Sequence, residues 1–225
     1  MSNQLPITNP KLLETALTHR SALNEPSSGT SSKVSNERLE FLGDAVLELV
    51  VTRFLFKELP QEPEGKLTAL RSALVRTETL AEVALELGLG EKLYMSKGEE
   101  ATGGRANSSL LANTFEAVIG ALYLDQGFQA VEKFVDKYLL PKLDKIKQEK
   151  LYKDAKSLLQ EIVQAQGYST PEYEVLSAQG LDHAKTFTVA VKIGNKNFGQ
   201  GRGSSKQAAQ QEAARQALAV FEKIK

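Results

Sequence analysis

The 225-residue chain balances 28 Lys+Arg against 28 Asp+Glu, contains no cysteine, and has only two histidines, His19 and His183. Those counts exclude disulfides, thiol catalysis, cysteine-type zinc sites and any multi-histidine metal site within one chain, so metal chemistry here rests on oxygen ligands. At 41% hydrophobic the chain can fill one large core or two smaller ones. It has no apolar run long enough for a bilayer and no basic start leading into one, so it reads as soluble and cytoplasmic, with no membrane partner.

Asn9-Pro10 places a capping residue before a proline suited to the first helical position, and Leu12, Leu13, Ala16 and Leu17 supply an apolar face, predicting a helix over 10–20. His19 falls at its end, where a structural, hydrogen-bonded histidine is a simpler reading than a catalytic one. Residues 24–35, with Pro, Gly and five serines, read as a surface loop. A helix over 36–59 follows, with Asn36 as N-cap and Pro60 as its stop.

At about 100° per residue, Glu37, Glu40 and Asp44 share one stripe of that helix and Glu48 extends it. Leu39, Leu42, Val46, Leu49 and Val50 occupy the other sides. A helix apolar on most sides belongs in a core, where carboxylates need a partner. Spacing leaves two readings open: a hard divalent cation, Mg²⁺ or Mn²⁺, held by oxygen ligands, or a solvated acidic face paired with Lys and Arg.

Residues 60–65 form a connecting turn in which Glu64 is either an ordinary loop acid or a further member of an acidic site. Residues 66–87 read as helix, broken near Thr77 and closed by Gly88 and Gly90, and 98–107 as loop. A second helix apolar on most sides spans 109–124. Its polar exceptions, Asn113 and Glu116, stand at i, i+3 on one side, and Ala117, Gly120 and Ala121 permit close approach of another helix. If the two polar stripes face each other, Glu40, Asp44, Asn113 and Glu116 make one oxygen-rich nest. A last helix over 128–148 completes an all-α domain of residues 1–148.

Residues 149–153 read as a linker to a small α+β domain, 154–225. Its elements run helix (154–166), alternating segments about 173–175 and 187–193, a Gly194-Asn195 hairpin turn, a third strand from Lys196, and a helix to 223. Residues 151–225 carry 10 Lys+Arg against 7 Asp+Glu, a modest excess that permits nucleic-acid binding. The run from Gly201 to Gln207 opens the last helix with glycines, serines and Lys206, which suits phosphate contacts or a plain capped helix.

The stretch Asn36-Glu-Arg-Leu-Glu-Phe-Leu-Gly-Asp44 resembles the signature of the ribonuclease III family. Thr18-His19-Arg20-Ser21, Phe115-Glu116-Ala117 and Ile119-Gly120-Ala121 resemble its other blocks, and the α-β-β-β-α tail resembles a double-stranded RNA-binding domain. The resemblance covers essentially the whole chain. It implies a homodimeric, Mg²⁺-dependent endoribonuclease (Mn²⁺ substituting) that cuts duplex RNA to 5′-phosphate and 3′-hydroxyl ends with short 3′ overhangs and processes ribosomal RNA precursors and structured messenger RNAs. No organic cofactor is implied.

By the same resemblance, Glu40, Asp44, Asn113 and Glu116 hold metal, with Asp44 and Glu116 catalytic, while Glu37 and Glu64 are accessory acids. Phe41 plugs into the partner subunit. In the tail, Lys156, Gln160, Glu161, His183, Arg202, Ser205, Lys206 and Gln207 face RNA; Gln207 stands where the family typically has a second lysine. The main departure is Asn113, where the family usually has Asp. An amide oxygen ligates Mg²⁺ without formal charge, which leaves three readings: an enzyme fully active with an Asn ligand, the reading favoured by retention of the other five acids; an enzyme active only at higher Mg²⁺ or with Mn²⁺; or a regulator that binds duplex RNA without cutting it. A metal phosphohydrolase of small molecules would leave the tail unexplained.

Overall fold

The computed structural model describes residues 5–25, 29–180 and 185–222, and the chain divides into two compact units, Met1–Tyr152 and Lys153–Lys225. Among the described residues the first unit is all helix: α1 Pro10–Ala16, α2 Glu37–Glu58, α3 Glu64–Val75, α4 Thr77–Glu86, α5 Leu89–Lys92, α6 Lys97–Ala101, α7 Ser108–Gln126, α8 Phe128–Tyr138 and α9 Lys142–Gln148.

Several boundaries follow from local chemistry. Asn9 caps α1 through hydrogen bonds from the Lys11 and Leu12 N–H groups at 3.0 and 3.3 Å. The predicted helix over 10–20 stops at Ala16, because Thr18 leaves it to bridge Tyr94, and a short 3₁₀ turn, Arg20–Asn24, takes over. Asn36 does not cap α2 as expected; its side chain turns away and donates to the Ala16 carbonyl at 3.3 Å. Arg76, in extended conformation, breaks the 66–87 stretch into α3 and α4, and Leu139–Pro141 breaks the last helix into α8 and α9. The 98–107 segment holds part of α6 and a 3₁₀ turn rather than plain loop.

The unit is built around α7, buried on nearly every side from Leu111 to Leu122. The long helix α2 lies against it. Two glycines set that contact: a Cβ on Gly43 would stand 1.8 Å from the Glu116 carbonyl oxygen, and one on Gly120 would stand 2.2 Å from that of Leu39. The helices therefore touch backbone to backbone, closer than any side chain at these positions permits. Leu39, Val46, Leu47, Val50, Val51 and Leu55 of α2 join the core. The helix is not core all round, however; Phe41, Leu49 and Phe56 stand 81%, 57% and 75% exposed.

The second unit is α10 Ala155–Ala165, β1 Glu172–Gln179, β2 Thr186–Ile193, β3 Lys196–Gly203 and α11 Lys206–Glu222. The strands form an antiparallel sheet in the order β1-β2-β3, with Tyr173 opposite Val191 and Val189 opposite Gly201. Asp154 caps α10 through the Ser157 N–H at 3.1 Å, and Ser205 caps α11 through that of Ala208 at 3.1 Å. Gly199, Gly201 and Gly203 give β3 one side without Cβ atoms, onto which the Ala209 and Ala213 stretch of α11 settles within van der Waals contact of the strand backbone. Leu159, Val163, Val191, Ile193, Ala217 and Phe221 fill the core between helices and sheet.

Candidate active site

The close crossing of α2 and α7 decides what lies beside it. With Gly43 pressed onto the Glu116 carbonyl, Asp44 comes next to Glu116, and one turn back Glu40 meets Asn113. These four side chains line a cleft of about 490 Å³ together with His19, Arg20, Asn36, Glu37, Phe41 and Leu110. Sequence spacing placed the stripes; the paired glycines make them face each other.

The electrostatics follow from that crowding. Burial, then the charges of Asp44 and Glu40, push the Glu116 carboxyl up to about 7. Glu40 is also raised, by burial and by Glu37 and Asp44, with a hydrogen bond from the Asn113 amide working against the rise. The Asn113 amide thus sits where it can donate to Glu40, as aspartate at this position could do only when protonated. Glu37 and Asp44 are exposed, and Glu37 lies 3.7 Å from the Arg20 guanidinium and accepts from Ser35 Oγ at 2.7 Å. The acidic stripe is therefore the wall of an open cleft, not a buried row.

Among the described residues, no three His, Asp or Glu side chains are gathered closely enough to enclose an ion by themselves. The donor set still suits Mg²⁺. It consists of hard oxygens, burial and neighbouring acids raise the Glu40 and Glu116 carboxyls, and Mg²⁺ ordinarily uses one or two carboxylates, keeping waters for the rest of its shell.

Glu64 stands elsewhere. It is the first residue of α3, accepts from Thr68 Oγ1 at 2.9 Å, and lines a separate groove of about 240 Å³ with Thr52, Leu55, Phe56, Leu67, Thr68 and Arg71. His19 was read from sequence as structural, and its ring does hydrogen-bond Ser21, but it also lines the acidic cleft. Burial holds its imidazole below the ordinary value, against the pull of Glu99 and Glu37. Its presence in a block resembling a known nuclease family was the signal that could have marked it.

In the second unit, Lys156, Gln160 and Gln207 line a polar cleft of about 530 Å³ with Asp154, Ser157, Pro171, Tyr173 and Gln211. Lys156 Nζ is held within the unit, 2.7 Å from Gln210 Oε1 and 4.8 Å from the centre of the Tyr173 ring. Glu161 forms an ion pair with Lys153. Arg202, Ser205, Lys206 and Gln207 are exposed at the end of β3 and the start of α11, whereas His183 lies outside the described residues.

Residues 9–143 match the ribonuclease-III-like family, and residues 155–220 match the double-stranded RNA binding motif. The chain is 46% identical over 211 residues to ribonuclease 3 of Bdellovibrio bacteriovorus, covering 93% of this chain and 89% of that one. It is 47% identical over 220 residues to ribonuclease 3 of Geobacillus kaustophilus, covering 97% and 88%. A solved nuclease domain of ribonuclease III from Campylobacter jejuni, described for flexibility in a region involved in dimer formation, superposes with a TM-score of 0.54 at 40% identity, over 60% of this chain and 88% of that one.

Proposed function

The chain belongs to the ribonuclease III family and is a double-strand-specific endoribonuclease, and we propose that it cleaves with Mg²⁺ held between α2 and α7 by Glu40, Asp44, Glu116 and the amide oxygen of Asn113. The observation that carries this reading is the facing of the two polar stripes across the Gly43–Gly120 contact. When bound, the metal supplies an activated water and neutralises charge at the leaving oxygen of an in-line displacement. Among the described residues that line the cleft none is a serine, threonine or cysteine, so the chain offers no hydroxyl or thiol nucleophile there.

Asp44, the exposed one of the three acids, accepts the proton of the attacking water. Glu40 and Glu116 are half-buried, so their positions are fixed by the helices that carry them. The bond to the 3′-oxygen breaks as the new bond to the water oxygen forms, and the leaving oxygen takes a proton from solvent, giving a 5′-phosphate and a 3′-hydroxyl. The second unit supplies affinity for the duplex through Gln160, Arg202, Ser205, Lys206 and Gln207, reading A-form shape and phosphates rather than sequence. Ribosomal RNA precursors and structured messenger RNAs are the substrates this predicts.

The exposed face of α2 supports a homodimer. Phe41, Ala45, Leu49, Thr52 and Phe56 fall on one stripe about 22 Å long, with a projecting aromatic at one end, the apolar groove of Leu55, Phe56 and Leu67 at the other, and Leu49 midway. Such a stripe is self-complementary under a two-fold axis. Seating Phe41 in the partner's groove would bring the Glu64 in that groove toward this chain's acidic cleft, which Phe41 also lines. That gives Glu64 an accessory role across the interface, although it is remote from its own cleft.

The test is cleavage of a long, end-labelled RNA duplex across a Mg²⁺ titration, beside Asp44→Asn and Glu116→Gln. Metal-dependent cutting to 5′-phosphorylated fragments, lost in both variants, is the expected result. Duplex binding without cutting at any Mg²⁺ or Mn²⁺ concentration would instead make the protein a duplex-binding regulator, and recovery of cutting by Asn113→Asp would locate the cause.

A further inference from the structure

His19 is clamped more firmly than packing alone requires. Its N–H donates to the Tyr94 carbonyl at 2.9 Å, the Tyr94 N–H donates to Leu17, and the Asn36 N–H donates to Thr18, at 2.8 and 2.9 Å. Its ring is oriented as well. Nδ1 accepts from the Ser21 backbone N–H at 3.3 Å and lies 2.8 Å from Ser21 Oγ, which itself accepts from the Ser96 N–H at 3.0 Å.

With Nδ1 an acceptor, the neutral ring carries its proton on Nε2. Among the described residues nothing accepts from Nε2, and the ring borders the acidic cleft. With a cation bound, the ionised carboxylates there accept only, and His19 adds a donor to that lining. His19 is thus an oriented, uncommitted donor in a cleft otherwise built to hold a cation.

Resting on the nuclease reading above, we propose that His19 contacts the substrate, its Nε2–H donating to the non-bridging oxygen of the scissile phosphate that faces away from the carboxylates. A phosphate drawn toward a cation held by the acids keeps its second non-bridging oxygen free for a donor elsewhere in the cleft lining, of which His19 is part. A neutral donor suits that place better than a cation, which Glu37 and Glu40 would draw into an ion pair. Arg20, beside it, makes a long and exposed contact with Glu37 at 3.7 Å.

The experiment uses the full chain and a duplex whose cut bond has been mapped, carrying either phosphorothioate stereoisomer at that bond. His19→Phe keeps the ring shape without the donor, and His19→Gln restores an N–H. His19→Phe should lower kcat/KM about 10- to 100-fold, the range for a hydrogen bond to a charged group, and His19→Gln should recover most of it. In the wild type, Mn²⁺ should rescue one stereoisomer. The other should stay slow in Mn²⁺, and its sulfur penalty should vanish in His19→Phe.

A wild-type rate in His19→Phe, or a slower one with both sulfur penalties intact, would overturn the proposal. A purely structural histidine would lower Tm and slow all substrates without that coupling. Asp44→Asn run in parallel separates the two levels of inference. If the wild type itself does not cut, the nuclease reading fails and this one with it; if it cuts and His19 is indifferent, only this one fails.

Discussion

Adding a single carbon at Gly43 should dismantle the acidic cleft. The Cβ of Gly43→Ala would stand 1.8 Å from the Glu116 carbonyl oxygen, 2.6 Å from the Glu116 carbonyl carbon and 2.9 Å from the Gly120 nitrogen. All three are backbone atoms of α7, so no rotamer change relieves the overlap, and the helices must separate by more than about 1 Å to reach ordinary contact. Overpacking a core by one methyl costs about 1–3 kcal/mol, occasionally more, and rigid backbone puts this case at the upper end. Alanine's better helix propensity returns about 1 kcal/mol. A net loss of about 2 kcal/mol corresponds to a fall in Tm of roughly 4–8 °C for a unit of this size.

Activity should suffer more than stability, because a displacement of about 1 Å between catalytic groups lowers rate by about 100-fold. Thermal unfolding and single-turnover cleavage, both on the full chain, measure the two effects. Gly65→Ala is the control: nothing lies within 4 Å of that Cβ, and the residue is helical in α3, so it should stabilise by up to about 1 kcal/mol and leave cleavage alone. A Gly43→Ala protein as stable and as active as the wild type would refute the claim that backbone contact at the crossing builds the site.

Asn113→Asp replaces the donor to Glu40 with a fourth carboxylate, so it should lower metal-free stability near neutral pH and lower the Mg²⁺ concentration giving half-maximal cleavage; thermal shift and rate titrations with Mg²⁺ read both. Glu116 is raised to about 7 from an ordinary 4.5, so folding favours its protonated form. The metal-free protein should therefore lose stability as pH rises from about 4.5 to 7, and Glu116→Gln should flatten that part of a Tm–pH profile. Leu49→Lys would place like charges face to face across the proposed two-fold, and sedimentation velocity should show a monomer with cleavage reduced. Arg202→Ala and Lys206→Ala should each weaken duplex binding and shrink the slope of log K against log salt by about 1; an unchanged slope would remove that residue from the interface.

The polar stripes on α2 and α7 were legible because a 3.6-residue period and two i, i+3 or i, i+4 pairs fix which side chains share a face. What made them one site was not legible as chemistry: Gly43 and Gly120 carry no functional group, and only the helix crossing shows that each faces the other's backbone. Glu64 shows the same limit from the other side. Its charge suggested the acidic site, but a residue at the start of α3 belongs to the far end of α2, about 20 residues and some 30 Å along a helix from Glu40.

Asn36 and Lys156 show a third limit. Asn36 has the residue type for capping, yet its side chain goes to the Ala16 carbonyl instead, and Lys156, expected to face RNA, is held within its own unit by Gln210 and the Tyr173 ring. Local pattern states what a residue is able to do. Which of its options it takes is decided by the neighbour that tertiary packing brings nearest, and for His19 that neighbour, Ser21, occupies one ring nitrogen and leaves the other facing the cleft.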